Sequence, residues 1–374
     1  MLTTSDRLEL FPHNVDWSIQ TLRLLAEGIF GGADVNEVYR ASRRLRDGTV
    51  EVWMGTWGEL AEEVAAVAEA AEADGQFTTA RDAFLRASNY FRHAEFYLFG
   101  DDPRKLLLYR RGRACFRRAI PYCRPAIEPI EVPYGKETLD GYLCHPVSPP
   151  PGRAPLVVFL GGADSLAEEL YFLGGRAVPE RGAYLLLVDT PGRGSALRLK
   201  GIRSRPDYEV PVRAVLDWVL TRKEVDSDRI GLWGISMGGY YAPRAAAYNL
   251  DRVKALVCWC GCYSVLEDLY EFYPPIRRQL QWVVGAADGD EASRRLADFQ
   301  LADAAPRVSC PTLIVHGAGD VIISPEGAKK LYAVLPGPKE LRLLGAAEGG
   351  GMHCNYDNLG RLVPEMVDWL LARL

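Results

Sequence analysis

The stretch Arg229-Ile-Gly-Leu-Trp-Gly-Ile-Ser-Met-Gly-Gly239 decides how this chain is read. Its first half, Ile230 to Trp233, has the continuous apolar character of a strand covered on both faces, and a helix is expected from Tyr240 onward. Between them stands Gly-x-Ser-x-Gly centred on Ser236. A serine held on a sharp strand-to-helix turn needs small neighbours, supplied by Gly234 and Gly238, and the turn lifts its hydroxyl clear of the sheet. The helix N-terminus beneath it adds partial positive charge where an oxyanion would form. The motif predicts a nucleophilic serine, with the backbone N–H of Met237 as one oxyanion donor.

A serine hydroxyl is too weak an acid to attack unaided, so a base oriented by a carboxylate should follow in the order Ser, Asp or Glu, His. Thr312-Leu-Ile-Val-His-Gly-Ala-Gly-Asp320 reads as a strand entering a glycine-rich turn that ends in an acid, and Gly350-Gly-Met-His353 places a histidine after the last strand. His353 is the sole histidine downstream of Asp320. Ser236, Asp320 and His353 are therefore the candidate catalytic residues. His316, at the end of a buried-type strand, is read as structural. Upstream, Phe159-Leu-Gly-Gly-Ala-Asp-Ser165 follows an apolar strand, where the N–H of Gly162 or Ala163 is the candidate second oxyanion donor. Asp164, Glu168 and Glu169 just beyond form either the acidic first turn of a helix, favourable to its dipole, or a direct substrate contact. Tyr240 is a further candidate substrate contact.

The flanking sequence has two textures. Asp16 to about Arg118 carries apolar residues at helical spacing, with one helical hairpin around Gly75 and no second copy of it to make a solenoid. After about Ala126 come eight short β-rich runs, 130–132, 141–144, 156–160, 184–188, 230–233, 255–260, 312–315 and 341–344, most alternating with helical segments. That pattern predicts a mainly parallel sheet, with the first two runs as an antiparallel edge. The expected division is a helical cap over 1–125 and a catalytic core over 126–374, with a helical, lid-like insertion over 263–307. Trp53, Trp57, Tyr90, Phe91 and Tyr97 of the cap either line an aromatic-friendly cavity or, for most of them, pack between helices.

Composition excludes other classes. At 374 residues the chain suits about two units of roughly 150 residues. With 48% hydrophobic and 25% charged residues it is neither collagen-like nor disordered. The net charge of -5 argues against a nucleic-acid or anionic-membrane partner, and the eight Lys and Arg residues between Arg104 and Arg124 are read as a solvated helix face. No CxxC spacing, no leader pattern and no run of about 18 apolar residues occurs, so a cytoplasmic protein without a membrane span is expected. The histidines lack ligand spacing and there is no phosphate-cradling Gly-x-x-x-x-Gly-Lys motif, so no metal or cofactor is expected, and Cys258-Trp-Cys-Gly-Cys262 is read as core packing.

With these residues in hand, the chain resembles the α/β-hydrolase superfamily, in the branch with an N-terminal helical cap that includes the 2,6-dihydroxypseudooxynicotine hydrolase, the fermentation-respiration-switch esterases and the yellowish-green polyketide-shortening hydrolases. The markers are Leu85-Arg-Ala-Ser-Asn-Tyr-Phe-Arg-His-Ala-Glu-Phe96, Gly161-Gly-Ala-Asp-Ser-Leu-Ala-Glu-Glu169, Asp189-Thr-Pro-Gly-Arg-Gly194 and Gly238-Gly-Tyr-Tyr-Ala-Pro-Arg244. Thr190 departs from the usual glycine of the third marker. The resemblance implies a Ser236, Asp320, His353 triad, a substrate cavity between cap and core, an acid near the oxyanion loop (Asp164 or Glu168) that touches substrate, and a homodimer. The activity it implies is hydrolysis of an activated carbonyl, the C–C bond of a β-diketone or aryl ketone or an ester, in a small aromatic or polyketide-type metabolite. The alternative is a lyase or cyclase on the same fold that eliminates acetate or water.

Overall fold

The computed structural model describes residues 10–45, 48–100 and 102–374, and they divide into two compact units. The first comprises residues up to Ile127 together with Tyr171–Gly174, the second Glu128–Leu170 and Gly175–Leu374.

The first unit is built on five helices: α1 (Val15–Glu27), α2 (Val35–Ser42), α3 (Val50–Ala73), α4 (Phe77–Glu95) and α5 (Pro103–Ala119). Local chemistry sets where four of them begin. The side chains of Asn14, Asp34, Thr49 and Asp102 each accept a backbone N–H of the first turn, and Pro103 occupies a first-turn position of α5 where no N–H is needed. Gly75, at φ +75°, turns α3 into α4, the helical hairpin that the sequence pattern predicts. Trp53, Trp57, Tyr90 and Phe91 are buried, the rings of Trp53 and Trp57 meeting edge to face at 5.5 Å and those of Trp53 and Tyr97 at 5.0 Å. The basic face of α5 is exposed at Arg104, Arg110, Arg111, Arg117 and Arg118, as the sequence pattern predicts, and part of it is also ion-paired: Arg111 bonds Glu62 of α3, and Arg118 bonds Glu69 and Glu72. Lys105 departs from that reading, being 2% exposed with its ammonium 3.3 Å from the buried Glu95 carboxylate.

The second unit holds an eight-stranded sheet in the order β1-β2-β4-β3-β5-β6-β7-β8. The strands are β1 (Ile127–Tyr134), β2 (Glu137–Cys144), β3 (Ala154–Leu160), β4 (Tyr184–Val188), β5 (Val225–Ile235), β6 (Val253–Trp259), β7 (Thr312–Gly317) and β8 (Lys339–Leu344). All eight predicted runs fall inside or against these elements. β2 pairs antiparallel with β4, and every pairing from β4 through β8 is parallel. Successive side chains of a strand point to opposite faces, so the unbroken burial of β4 and β7 means both faces are covered, whereas β1 alternates buried and exposed as a one-sided edge does. The chain runs from β3 outward to β4, then returns to β5 on the other side of β3. That reversal opens a crevice at the carboxyl ends of β3 and β5, the place where open α/β sheets carry their sites. Among the described residues no helix is long and apolar enough to cross a membrane.

Candidate active site

Ser236 follows β5 and precedes the helix Gly238–Ala247, at φ +57°, a left-handed conformation that a non-glycine residue adopts only when its surroundings impose it. The surroundings are visible. The Ser236 N–H donates to Trp259 O at 2.8 Å, tying the turn to the end of β6. A Cβ added at Gly234 would lie 2.1 Å from Gly238 O, and one at Gly238 would lie 2.1 Å from Leu160 O. Both glycines are thus required by close backbone approach.

His353 reaches this serine from the loop before the C-terminal helix. Its Nε2 lies 3.2 Å from Ser236 Oγ and its Nδ1 2.7 Å from Asp320 Oδ2. Asp320 sits in the turn after β7, where its Oδ1 accepts the N–H groups of Ile322 and Ile323 at 2.8 and 2.9 Å. Burial alone would raise this carboxyl. The facing imidazoles of His353 and His316 outweigh it and hold Asp320 well below the usual carboxylate range, so it is an anion at neutral pH. Ser236, His353 and Asp320, from three separate stretches of the sequence, therefore meet in one hydrogen-bonded chain.

Register brings the Gly161–Ala163 loop alongside. Leu160 pairs with Gly234, so the next residues of each strand run on side by side. A Cβ on Gly162 would lie 2.8 Å from Ser236 Cβ and 3.1 Å from Oγ. Gly162 is buried, Ala163 beside it half-buried, and Met237 caps the start of the Gly238–Ala247 helix. The Gly162 backbone and the start of the Gly238–Ala247 helix thus both lie beside Ser236.

The remaining candidates are held by protein partners. Asp164, fully buried at φ +57°, pairs with Arg198 and accepts Gln279 Nε2 at 2.6 Å, which joins this loop to the 277–284 helix of the lid-like stretch. Glu168 accepts the Tyr142 hydroxyl at 2.6 Å. Tyr240 donates its hydroxyl to Pro206 O at 2.7 Å and is buried.

Three residues outside the sequence-based set support the site. His316, read as structural, is fully buried with Nε2 3.3 Å from Asp320 Oδ2 and 3.1 Å from Ile323 O. Both neighbours are acceptors, so Nε2 carries the proton. Burial draws its pKa down, but the Asp320 carboxylate and the Ile323 carbonyl that face Nε2 prevail and leave it above the ordinary histidine value. Asn355, at φ +48°, accepts Trp259 Nε1 at 2.7 Å and donates to Gly350 O, pinning the His353 loop to β6. Arg193 donates to the carbonyl of Gly161. His316 lies within the Thr312–Asp320 stretch and Arg193 within the Asp189–Gly194 marker, whereas Asn355 falls outside the quoted motifs. Cys260 and Cys354 flank His353 with ligand atoms within 4.8 Å of one another. Burial holds the Cys260 thiol protonated far above its ordinary range, and both imidazole nitrogens of His353 are engaged, so this cluster is poorly disposed toward a cation.

Sheet order, elbow and site together define an α/β-hydrolase. More narrowly, the chain belongs to the FrsA-like esterases, whose sequence model ("Esterase FrsA-like") matches residues 34–271; that of the prolyl oligopeptidase family matches 179–371. Hydrolase LUC6 of a Fusarium species is 31% identical over 97% of each chain, and the 20-hydroxy-prefusarin hydrolase FUS2 of Gibberella moniliformis 30% identical over 95% of each. Five other fungal relatives at 36–39% identity align over only 59–64% of their own length. Among solved structures, a 2,6-dihydroxy-pseudo-oxynicotine hydrolase superposes with a TM-score of 0.81 at 27% identity, covering 94% of this chain and 95% of that one. The protein is an enzyme, a hydrolase of α/β type.

Proposed function

We propose that this hydrolase uses Ser236 as nucleophile against an activated carbonyl in a small aromatic or polyketide-type metabolite, cleaving the C–C bond of a β-diketone or aryl ketone, or an ester. The observation that carries the reading is the position of His353, within hydrogen-bonding distance of Ser236 on one ring nitrogen and of Asp320 on the other. His353 Nε2 takes the Ser236 proton as Oγ attacks, and the negative charge on the former carbonyl oxygen is met by backbone N–H groups of Met237 and of Gly162 or Ala163. Asp320, kept anionic, stabilises the imidazolium. Collapse of the tetrahedral adduct expels an alkoxide or, for C–C cleavage, an enolate, which takes the proton from His353. Water then attacks the acyl-enzyme by the same route, releasing the carboxylic acid. The names of the full-length relatives, which hydrolyse 20-hydroxy-prefusarin and 2,6-dihydroxy-pseudo-oxynicotine, support a small multifunctional metabolite over a peptide.

The test is turnover of an aryl β-diketone and a matched aryl ester in H₂¹⁸O by the wild type and S236A. The reading expects one ¹⁸O in the acid product and loss of turnover in the variant. Product formed without incorporation of water, surviving in S236A, is what an eliminating lyase would give, and would refute it.

A further inference from the structure

Arg193 lies in the turn after β4 and is 2% exposed, one of the largest fully buried side chains of the protein. Its Nε donates to Gly161 O at 2.8 Å. One terminal nitrogen donates to Pro191 O at 3.1 Å and meets the Tyr208 hydroxyl, while the other is buried without a hydrogen-bond partner. The guanidinium carbon stands 4.1 Å from the centroid of the Tyr241 ring and 5.2 Å from that of Tyr208. Among the described residues no carboxylate forms an ion pair with it. Asp189, in the same turn, contributes attraction at longer range while its own oxygens accept the N–H groups of Ala167 and Ser195.

Burying a guanidinium with no ion-paired carboxylate is costly, and here the charge is met by carbonyl dipoles, ring faces, the Tyr208 hydroxyl and the longer-range attraction of Asp189. The placement of those partners ties Arg193 to the surroundings of the nucleophile. Gly161 opens the oxyanion loop, and its carbonyl shares a peptide plane with the N–H of Gly162, the residue packed against Ser236. Tyr241 stands on the helix that the Ser236 turn begins. Arg193 therefore sits behind both walls of the oxyanion site.

We propose that Arg193 is a positioning residue for that site: it clamps the Gly161–Gly162 peptide and supplies the buried positive charge that the oxyanion of the Ser236 adduct neutralises. A charge-assisted bond to Gly161 O polarises the peptide and strengthens its N–H as a donor. Where Ala163 donates instead, the clamp fixes the loop and the charge acts through the low-dielectric interior. Catalysis of this kind favours the charged adduct over the neutral substrate, so it raises kcat with little effect on KM. The proposal rests on the Ser236 reading above.

The test compares wild type, R193M and R193K in hydrolysis of p-nitrophenyl butyrate and in inhibition by an aryl trifluoromethyl ketone, which adds to a nucleophilic serine to give a tetrahedral oxyanion. The expected result for R193M is a fall in kcat on the order of 10–100-fold, as for outer-shell supports of reactive groups, with KM within about threefold. The inhibition constant of the ketone weakens by the same factor as kcat/KM, and R193K, which keeps charge but not the planar fork, recovers part of both. R193M matching the wild type, or losing rate while the ketone binds as tightly as before, overturns the proposal. Should R193M be insoluble, R193K alone decides: matched losses in kcat/KM and ketone affinity support the role, unmatched losses overturn it. A wild type that the ketone does not inhibit, or an S236A variant that still hydrolyses the ester, removes the Ser236 reading itself.

Discussion

Among the described residues, His316 is the one side-chain donor besides His353 that faces the Asp320 carboxylate, and replacing it by leucine deletes that donor. The site is fully buried, so water does not screen or replace the lost bond. A hydrogen bond to a charged group contributes about 1.5–3 kcal/mol, and the Ile323 carbonyl loses its partner at the same time. The pH dependence follows from the two shifts. His316 has a raised pKa, so its contribution is complete below the unfolded value near ~6.5 and fades as pH climbs through the raised folded value. Asp320 has a depressed one, so its contribution is complete above about 4 and fades as pH falls through the depressed folded value. The stability gap between wild type and H316L is therefore widest between about pH 4 and 6.5 and narrows toward alkaline pH. Urea unfolding at pH 5, 7 and 9 measures it, alongside kcat/KM, which should fall about tenfold as Asp320 loses its second anchor. A gap below about 0.5 kcal/mol, or one that does not change with pH, would refute the reasoning.

Other substitutions separate scaffold from chemistry. Gly162→Ala drives a methyl to 2.8 Å from Ser236 Cβ, and ester turnover should drop on the order of 100-fold with a small change in Tm; retained turnover contradicts the placement of the oxyanion loop. Asn355→Leu leaves the buried Trp259 N–H without an acceptor, and denaturant titration should show a loss of about 1–3 kcal/mol together with reduced turnover. Tyr240→Phe removes the bond to Pro206 O, costing about 1 kcal/mol and, if that bond is its whole role, changing kcat less than about threefold; a much larger loss of rate supports Tyr240 as a substrate contact.

What the sequence reveals is what neighbours in the chain encode. Apolar runs such as Tyr184 to Val188 have one physical use, a strand covered on both faces, and they mark the sheet to within a few residues. The elbow is legible because steric need writes glycine at 234 and 238. Contacts between distant segments leave no such mark. Lys105 reads as one more basic residue on a helix face until Glu95, ten residues earlier, is seen buried against it. His316 reads as strand packing because nothing local tells that Asp320 folds back over its Nε2. Arg193 and Asn355 act on residues 32 and 96 positions away, Gly161 and Trp259, and their roles emerge only once the sheet order is known.

The account depends on a hydroxyl made nucleophilic by an imidazole that an anion orients, and covalent labelling reads that property without knowledge of the substrate. Treatment with a fluorophosphonate followed by peptide mass spectrometry should place one adduct on Ser236, absent in S236A and formed far more slowly in H353A. An active enzyme that takes up no label, or takes it up at another residue, would contradict the central claim.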